Sequence, residues 1–122
     1  MNERILVVDD DVPFLSMVQE SLTMQGFEVQ GATDGAEAIS KAKGGSYDLV
    51  LLDIMMPHRD GYEIAAELKS SLGPKAPKVL FITCRDVRNE AHFAKLFGAV
   101  GMMQKPFTLE ELSHRVKLVL SN

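Results

Sequence analysis

Five short apolar runs, at residues 5–8, 27–29, 49–52, 79–82 and 99–103, recur at regular intervals along the chain, and each is too short to be a helix. Those at 5–8, 49–52 and 79–82 are unbroken by polar residues, as expected of strands buried on both faces. Between the runs, apolar residues fall three and four apart. Phe14, Leu15, Val18 and Leu22 make one stripe, Ile64, Ala65 and Leu68 a second, and Leu109, Leu112, Val116, Val119 and Leu120 a third. Strands alternating with helices, joined by right-handed crossovers, leave one economical solution: a five-stranded parallel sheet, doubly wound, with helices on both faces.

The punctuation agrees with this α/β reading. Gly26 follows the first helical stripe, Asp60-Gly61 turns into the next, and Thr108 with Glu111 forms a capping box before the last. At 122 residues the chain has the length of one domain, residues 1–122, and is expected to carry no output domain. The glycine-rich and proline-rich stretches at 44–46 and 73–77 are each followed at once by a strand, so they read as loops rather than linkers. A net charge of −4 gives no general attraction to nucleic acid or to an anionic membrane. Cys84 is the only cysteine and His58, His92 and His114 lack zinc-site spacing, which together with the absence of a leader-like or membrane-length apolar segment favours a cytoplasmic setting. The seven methionines read as core filling.

In a doubly wound sheet, ligands sit outside the carboxyl ends of the strands. There the sequence places Asp9-Asp10-Asp11 after the first run, Asp53 after the third, Thr83 after the fourth and Lys105-Pro106 after the fifth. Asp11 is suited to cap the following helix. Carboxylates gathered in one place repel one another unless a hard cation or an ammonium offsets them. Mg²⁺ takes oxygen ligands and keeps waters, so it suits two or three carboxylates, a backbone carbonyl and a phosphate oxygen. Lys105 can supply a point charge opposite. Asp53, framed by both, becomes able to attack a phosphorus centre once the charge on the phosphoryl oxygens is offset. The resulting acyl phosphate hydrolyses readily, which fits a temporary mark.

These residues, read as Val7-Val8-Asp9-Asp10-Asp11, Leu52-Asp53-Ile54-Met55-Met56-Pro57 with Asp60-Gly61, Thr83, and Gly98-Ala99 followed by Lys105-Pro106-Phe107, carry a family likeness. Over essentially its whole length the chain resembles the receiver domains of bacterial two-component response regulators. The resemblance implies a flavodoxin-like strand order of 2-1-3-4-5 and a phosphoacceptor switch rather than an enzyme acting on other substrates. It implies that Asp9 and Asp10 hold Mg²⁺ with Asp53 and the main-chain carbonyl of Met55. By the same likeness Asp53 is the phosphoacceptor, Thr83 hydrogen-bonds a phosphoryl oxygen, and Lys105 pairs with Asp53 before phosphorylation and with the phosphoryl group afterwards. Pro106 is expected to follow a cis peptide bond.

The match departs at two places. Met102 stands three residues before Lys105, where the family often has an aromatic that swings inward, and Cys84 stands where a small alanine is common. Cys84 is expected to be a small buried residue, and Met55 and Arg85 to tune hydrolysis by shielding the acyl phosphate. If Val87, Ala91 and Ala94 form the buried stripe of the fourth helix, Phe93 and Leu96 face outward as a partner surface. The family's dimer face is the fourth helix, fifth strand and fifth helix. The implied partners are a histidine kinase or phosphotransfer protein and a downstream output protein or effector domain, with no nucleic acid bound directly and no membrane. An aspartyl-phosphate phosphohydrolase would need a second carboxyl group close after Asp53, which Ile54-Met55 does not offer. A flavin-mononucleotide carrier would need a phosphate loop where the three aspartates stand.

Overall fold

The computed structural model describes residues 2–57, 59–84 and 87–121, and its side-chain description excludes residues 87, 89–91 and 93. Five strands, β1 (Arg4–Val8), β2 (Glu28–Ala32), β3 (Leu49–Asp53), β4 (Lys78–Thr83) and β5 (Gly101–Gln104), alternate with five helices. The helices are α1 (Val12–Met24), α2 (Gly35–Gly44), α3 (Gly61–Leu72), α4 (Val87–Leu96) and α5 (Leu109–Ser121), with one 3₁₀ turn at Gly73–Lys75. The strands form one parallel sheet in the order β2-β1-β3-β4-β5. The doubly wound arrangement expected from the sequence is the one observed.

Successive side chains of a strand point to opposite faces, and this alternation sorts the core in two. Ile5, Val7, Leu49, Leu51, Leu80 and Ile82 turn toward Leu15, Val18 and Leu22 of α1 and Leu112, Val116 and Val119 of α5. Leu6, Val8, Val50, Leu52 and Phe81 turn the other way, toward Ala38 and Ile39 of α2, Ile64, Ala65 and Leu68 of α3 and Ala94 of α4. Burial on both faces makes β1, β3 and β4 rigid, and they carry the aspartates and threonine at their ends.

Two strands differ from the sequence reading. β2 runs over Glu28–Ala32, beyond the apolar run at 27–29, because an edge strand needs burial on only part of its surface and tolerates Gln30 and Gly31. β5 begins at Gly101, since Ala99 and Val100 bond back to Ala94 and Val79 before the ladder starts. Of the methionines read as core filling, Met102 and Met103 are buried, whereas Met17, Met24 and Met55 are exposed.

The helix starts follow their caps. The Asp11 carboxylate accepts the Phe14 N–H at 3.2 Å, Asp60 and Glu63 form a reciprocal box on α3, and Thr108 with Glu111 does the same on α5. Asp11→Ala is expected to lower stability by about 1 kcal/mol, measured by urea denaturation at neutral pH. No helix among the described residues is long and apolar enough to cross a membrane.

Candidate functional site

The site is assembled where four strands end. β1 stops at Val8, and the next residue, Asp9, keeps sheet register through a 3.1 Å bond from its N–H to the Ala32 carbonyl. β3 closes on Asp53 itself, and Ile54 N–H reaches the Ile82 carbonyl of β4 at 3.0 Å. Thr83, fully buried, ends β4, and its carbonyl accepts the Lys105 N–H at 2.7 Å. The threonine and the lysine are therefore joined through the backbone. The Lys105–Pro106 peptide is cis, as expected.

Asp9, Asp10 and Asp53 each place a carboxylate oxygen within 4.8 Å of the others. Asp9 is 1% exposed and Asp53 6%, while Asp10 is open to solvent. Short turns aim the two buried groups: Asp9 Oδ1 accepts the Asp11 N–H at 2.9 Å and Asp53 Oδ1 accepts the Met55 N–H at 3.1 Å. Burial is the main reason that the Asp53 carboxyl is pushed up to about 6, and the neighbouring Asp9 charge adds to it. Lys105 and the Met55 N–H pull the other way, and Asp10 raises it slightly.

Lys105 takes a different partner from the one expected. Its Nζ lies 2.7 Å from Asp9 Oδ2, so the ion pair is with Asp9 and not with Asp53. The ammonium has gone to the more deeply buried of the two carboxylates, the one that most needs a counter-charge.

Three carboxyl groups and one lysine are gathered in a small, partly buried space lined by oxygen atoms. A divalent hard cation is the counter-ion that such a set of carboxylate oxygens fits.

The sequence matches the response regulator receiver domain family over residues 5–117. The chain belongs to that family. Among curated proteins, the receiver domain is 36% identical over 122 residues to the alkaline phosphatase synthesis transcriptional regulatory protein PhoP of Bacillus subtilis, covering 98% of this chain and 49% of PhoP. It is 40% identical over 120 residues to response regulator MprA of Mycobacterium sp. strain KMS, covering 98% and 51% respectively. The chain thus spans about half the length of these relatives. Among solved structures, the Vibrio cholerae chemotaxis protein CheY4 superposes with a TM-score of 0.91 at 30% identity, covering 98% of this chain and 99% of that one. TrrA of Thermotoga maritima, determined in complex with Mg²⁺ and beryllofluoride, superposes with a TM-score of 0.83 at 34% identity, covering 96% and 98%. Receiver domains bind Mg²⁺ at an acidic pocket, and the aspartate cluster of this one has that character.

Around the pocket the receiver domain has its own features. Cys84, expected to be buried, is exposed, because it is the first residue past β4 and its side chain turns to the loop after β3, where the thiol lies 3.4 Å from Met55 Sδ. Met102, in the place of the family's aromatic, is 8% exposed and already packs in the core, opposite Phe81 on the neighbouring strand. Arg85 and His58 lie outside the described residues, as do the side chains of Val87, Ala91 and Phe93. Of the outward face expected on α4, Leu96 is 66% exposed, and Ala94 is buried as the stripe requires. His92 and His114 are exposed. Sequence reasoning gave Phe14 only a place in the core stripe, yet its ring lies under Lys105 with the ammonium 4.1 Å from its centroid. Its position three residues after the Asp11 cap was the available signal.

Proposed function

We propose that Asp53 accepts a phosphoryl group from a phosphohistidine of a kinase or phosphotransfer protein, and that the domain thereby changes the face it offers to an output partner. The observation that carries this reading is the pairing of a buried Asp53 with Asp9, Asp10 and the Lys105 ammonium at one set of strand ends. A carboxylate pushed up by burial is short of solvation, so it is a better nucleophile than one in water. Asp9, Asp10, Asp53 and the Met55 carbonyl would hold Mg²⁺, which offsets charge on the phosphoryl oxygens when bound. An Asp53 carboxylate oxygen bonds to phosphorus as the donor's bond to phosphorus breaks. Thr83, held in place by burial, offers a hydroxyl to a phosphoryl oxygen, and Lys105 transfers its charge from Asp9 to the new dianion.

The domain acts on itself alone and releases the mark by hydrolysis, with the exposed Cys84 and Met55 setting how quickly water arrives. The exposed Leu96 on α4, together with β5 and α5, forms the face for a second copy or an output partner. The setting is cytoplasmic, and residues 1–122 act as a single receiver unit.

Acetyl phosphate with Mg²⁺, followed by intact mass measurement, tests the reading. One added phosphoryl group on the wild-type chain is expected, with none in EDTA and none on Asp53→Asn. Equal modification of the asparagine variant, or modification without the metal, would sink it.

A further inference from the structure

Among the described residues the Lys105 ammonium meets a carboxylate and an aromatic ring. Beside the 2.7 Å contact with Asp9 Oδ2, Nζ lies over the face of Phe14, 4.1 Å from the ring centroid. The ring is itself held in place. Phe14 sits in the first turn of α1, where its N–H is bound by the Asp11 cap, and its ring meets Phe107 at a centroid distance of 5.9 Å and 70° between planes. Phe107 follows Lys105 by two residues. The ammonium, the Phe14 ring and the edge-to-face Phe107 ring therefore form one run of contacts linking the end of β5 to the start of α1. An aromatic face attracts an ammonium through its quadrupole, more strongly as water is withdrawn, and the Lys105 side chain is only 22% exposed.

We propose that Phe14 is a positioning residue for Lys105, its ring face holding the ammonium on Asp9 until a phosphoryl group on Asp53 draws it away. The release step rests on the reading of Asp53 as phosphoacceptor. The ring does not touch the reacting atoms. It sets how much the lysine must give up to move, and because the ring also abuts Phe107, departure of the ammonium is felt between α1 and the segment leading to α5. With Met102 already packed in the core, this ring pair is an aromatic element of the chain that answers directly to the lysine.

Three variants of the whole chain separate this role from packing. Phe14→Leu keeps apolar bulk and removes the ring face, whereas Phe14→Tyr and Phe14→Trp keep the face. By NMR of the free protein, the Lys105 Hε resonances are expected upfield from ring current in wild type and both aromatic variants, and at ordinary positions in the leucine variant. Ordinary positions in wild type would overturn the proposal. With Mg²⁺ and beryllofluoride as the phosphoryl mimic, the leucine variant is expected to bind about two- to fivefold more tightly, since the ammonium no longer has a part-buried cation–π contact to lose. The tyrosine variant should match wild type. Leucine and tyrosine variants that bind alike, or a leucine variant that binds more weakly, would also overturn it. Failure of the wild-type chain to bind the mimic would sink the Asp53 reading and with it the release step, while the ring shifts in the free protein alone decide whether Phe14 holds the lysine.

Discussion

Asp53→Asn is expected to raise stability by up to about 3 kcal/mol in Mg²⁺-free buffer above pH 6, as well as to abolish phosphorylation. The Asp53 carboxyl titrates near 3.8 when the chain is unfolded and at about 6 when it is folded. Between those values the folded state binds more protons than the unfolded state, so wild-type stability falls with rising pH through this window. Below it both states are protonated and nothing is lost. Above it both are ionised and the whole cost of burying the charge is present. Asparagine carries no such charge, so the gap between variant and wild type should open from near zero below pH 4 to its full size above pH 6. At this chain length the full gap corresponds to roughly 10 °C in the unfolding midpoint. Added Mg²⁺ should close much of it by stabilising only the chain that retains all three carboxylates, by about 2.7 kcal/mol at a hundredfold excess over its dissociation constant. Calorimetric scans at several pH values, with EDTA and with Mg²⁺, read all of this. An asparagine variant no more stable than wild type at neutral pH in EDTA would show that burial is not what raises the carboxyl.

The parallel sheet was legible because β1, β3 and β4 are apolar without interruption, a pattern that a helix of half-buried character does not produce, whereas the strand order came from the family resemblance. The positions of Asp9, Asp10, Asp53, Thr83 and Lys105 followed from topology alone, since parallel strands bring all their carboxyl ends to one side. The choices made within that region were not legible. Whether Lys105 pairs with Asp9 or with Asp53 depends on which carboxylate is drier, a difference of a few per cent in exposure that no pattern encodes. Cys84 was read as a small buried residue from its type and the alanine common at its place, yet one residue past the strand end the alternation of faces no longer applies and the thiol turns to Met55. Phe14 fitted a helical stripe and was read as core. It is only partly buried, and the part that is not core faces the ammonium. Strand ends can be read from the sequence, whereas side-chain partners depend on packing from distant segments.

Gly61→Ala is expected to damage both stability and phosphotransfer, and the cause is space rather than backbone freedom. A methyl group there would stand 2.7 Å from the Asp53 carbonyl oxygen and 2.8 Å from the Ile54 Cα, both backbone atoms of the segment that carries the nucleophile. The Gly61 N–H also donates to the Ile54 carbonyl at 2.8 Å, so the first turn of α3 is pinned against the end of β3. Neither side can retreat cheaply, because Asp53 and Ile54 are fixed by the sheet and α3 by its Asp60 cap and by Ile64, Ala65 and Leu68 in the core. Overpacking of this kind costs about 1–3 kcal/mol. The strain should also push the Asp53 carboxylate out of line with Asp9 and Asp10, and displacements near 1 Å can cost on the order of a hundredfold in rate. The control is Gly44→Ala, at the end of α2, where an added methyl meets no atom within 4 Å and stability should hold or rise slightly. Urea denaturation and the rate of phosphorylation by acetyl phosphate, measured on both variants, give the comparison. If Gly61→Ala phosphorylates as fast as Gly44→Ala, the close approach of α3 is not what holds Asp53 in place.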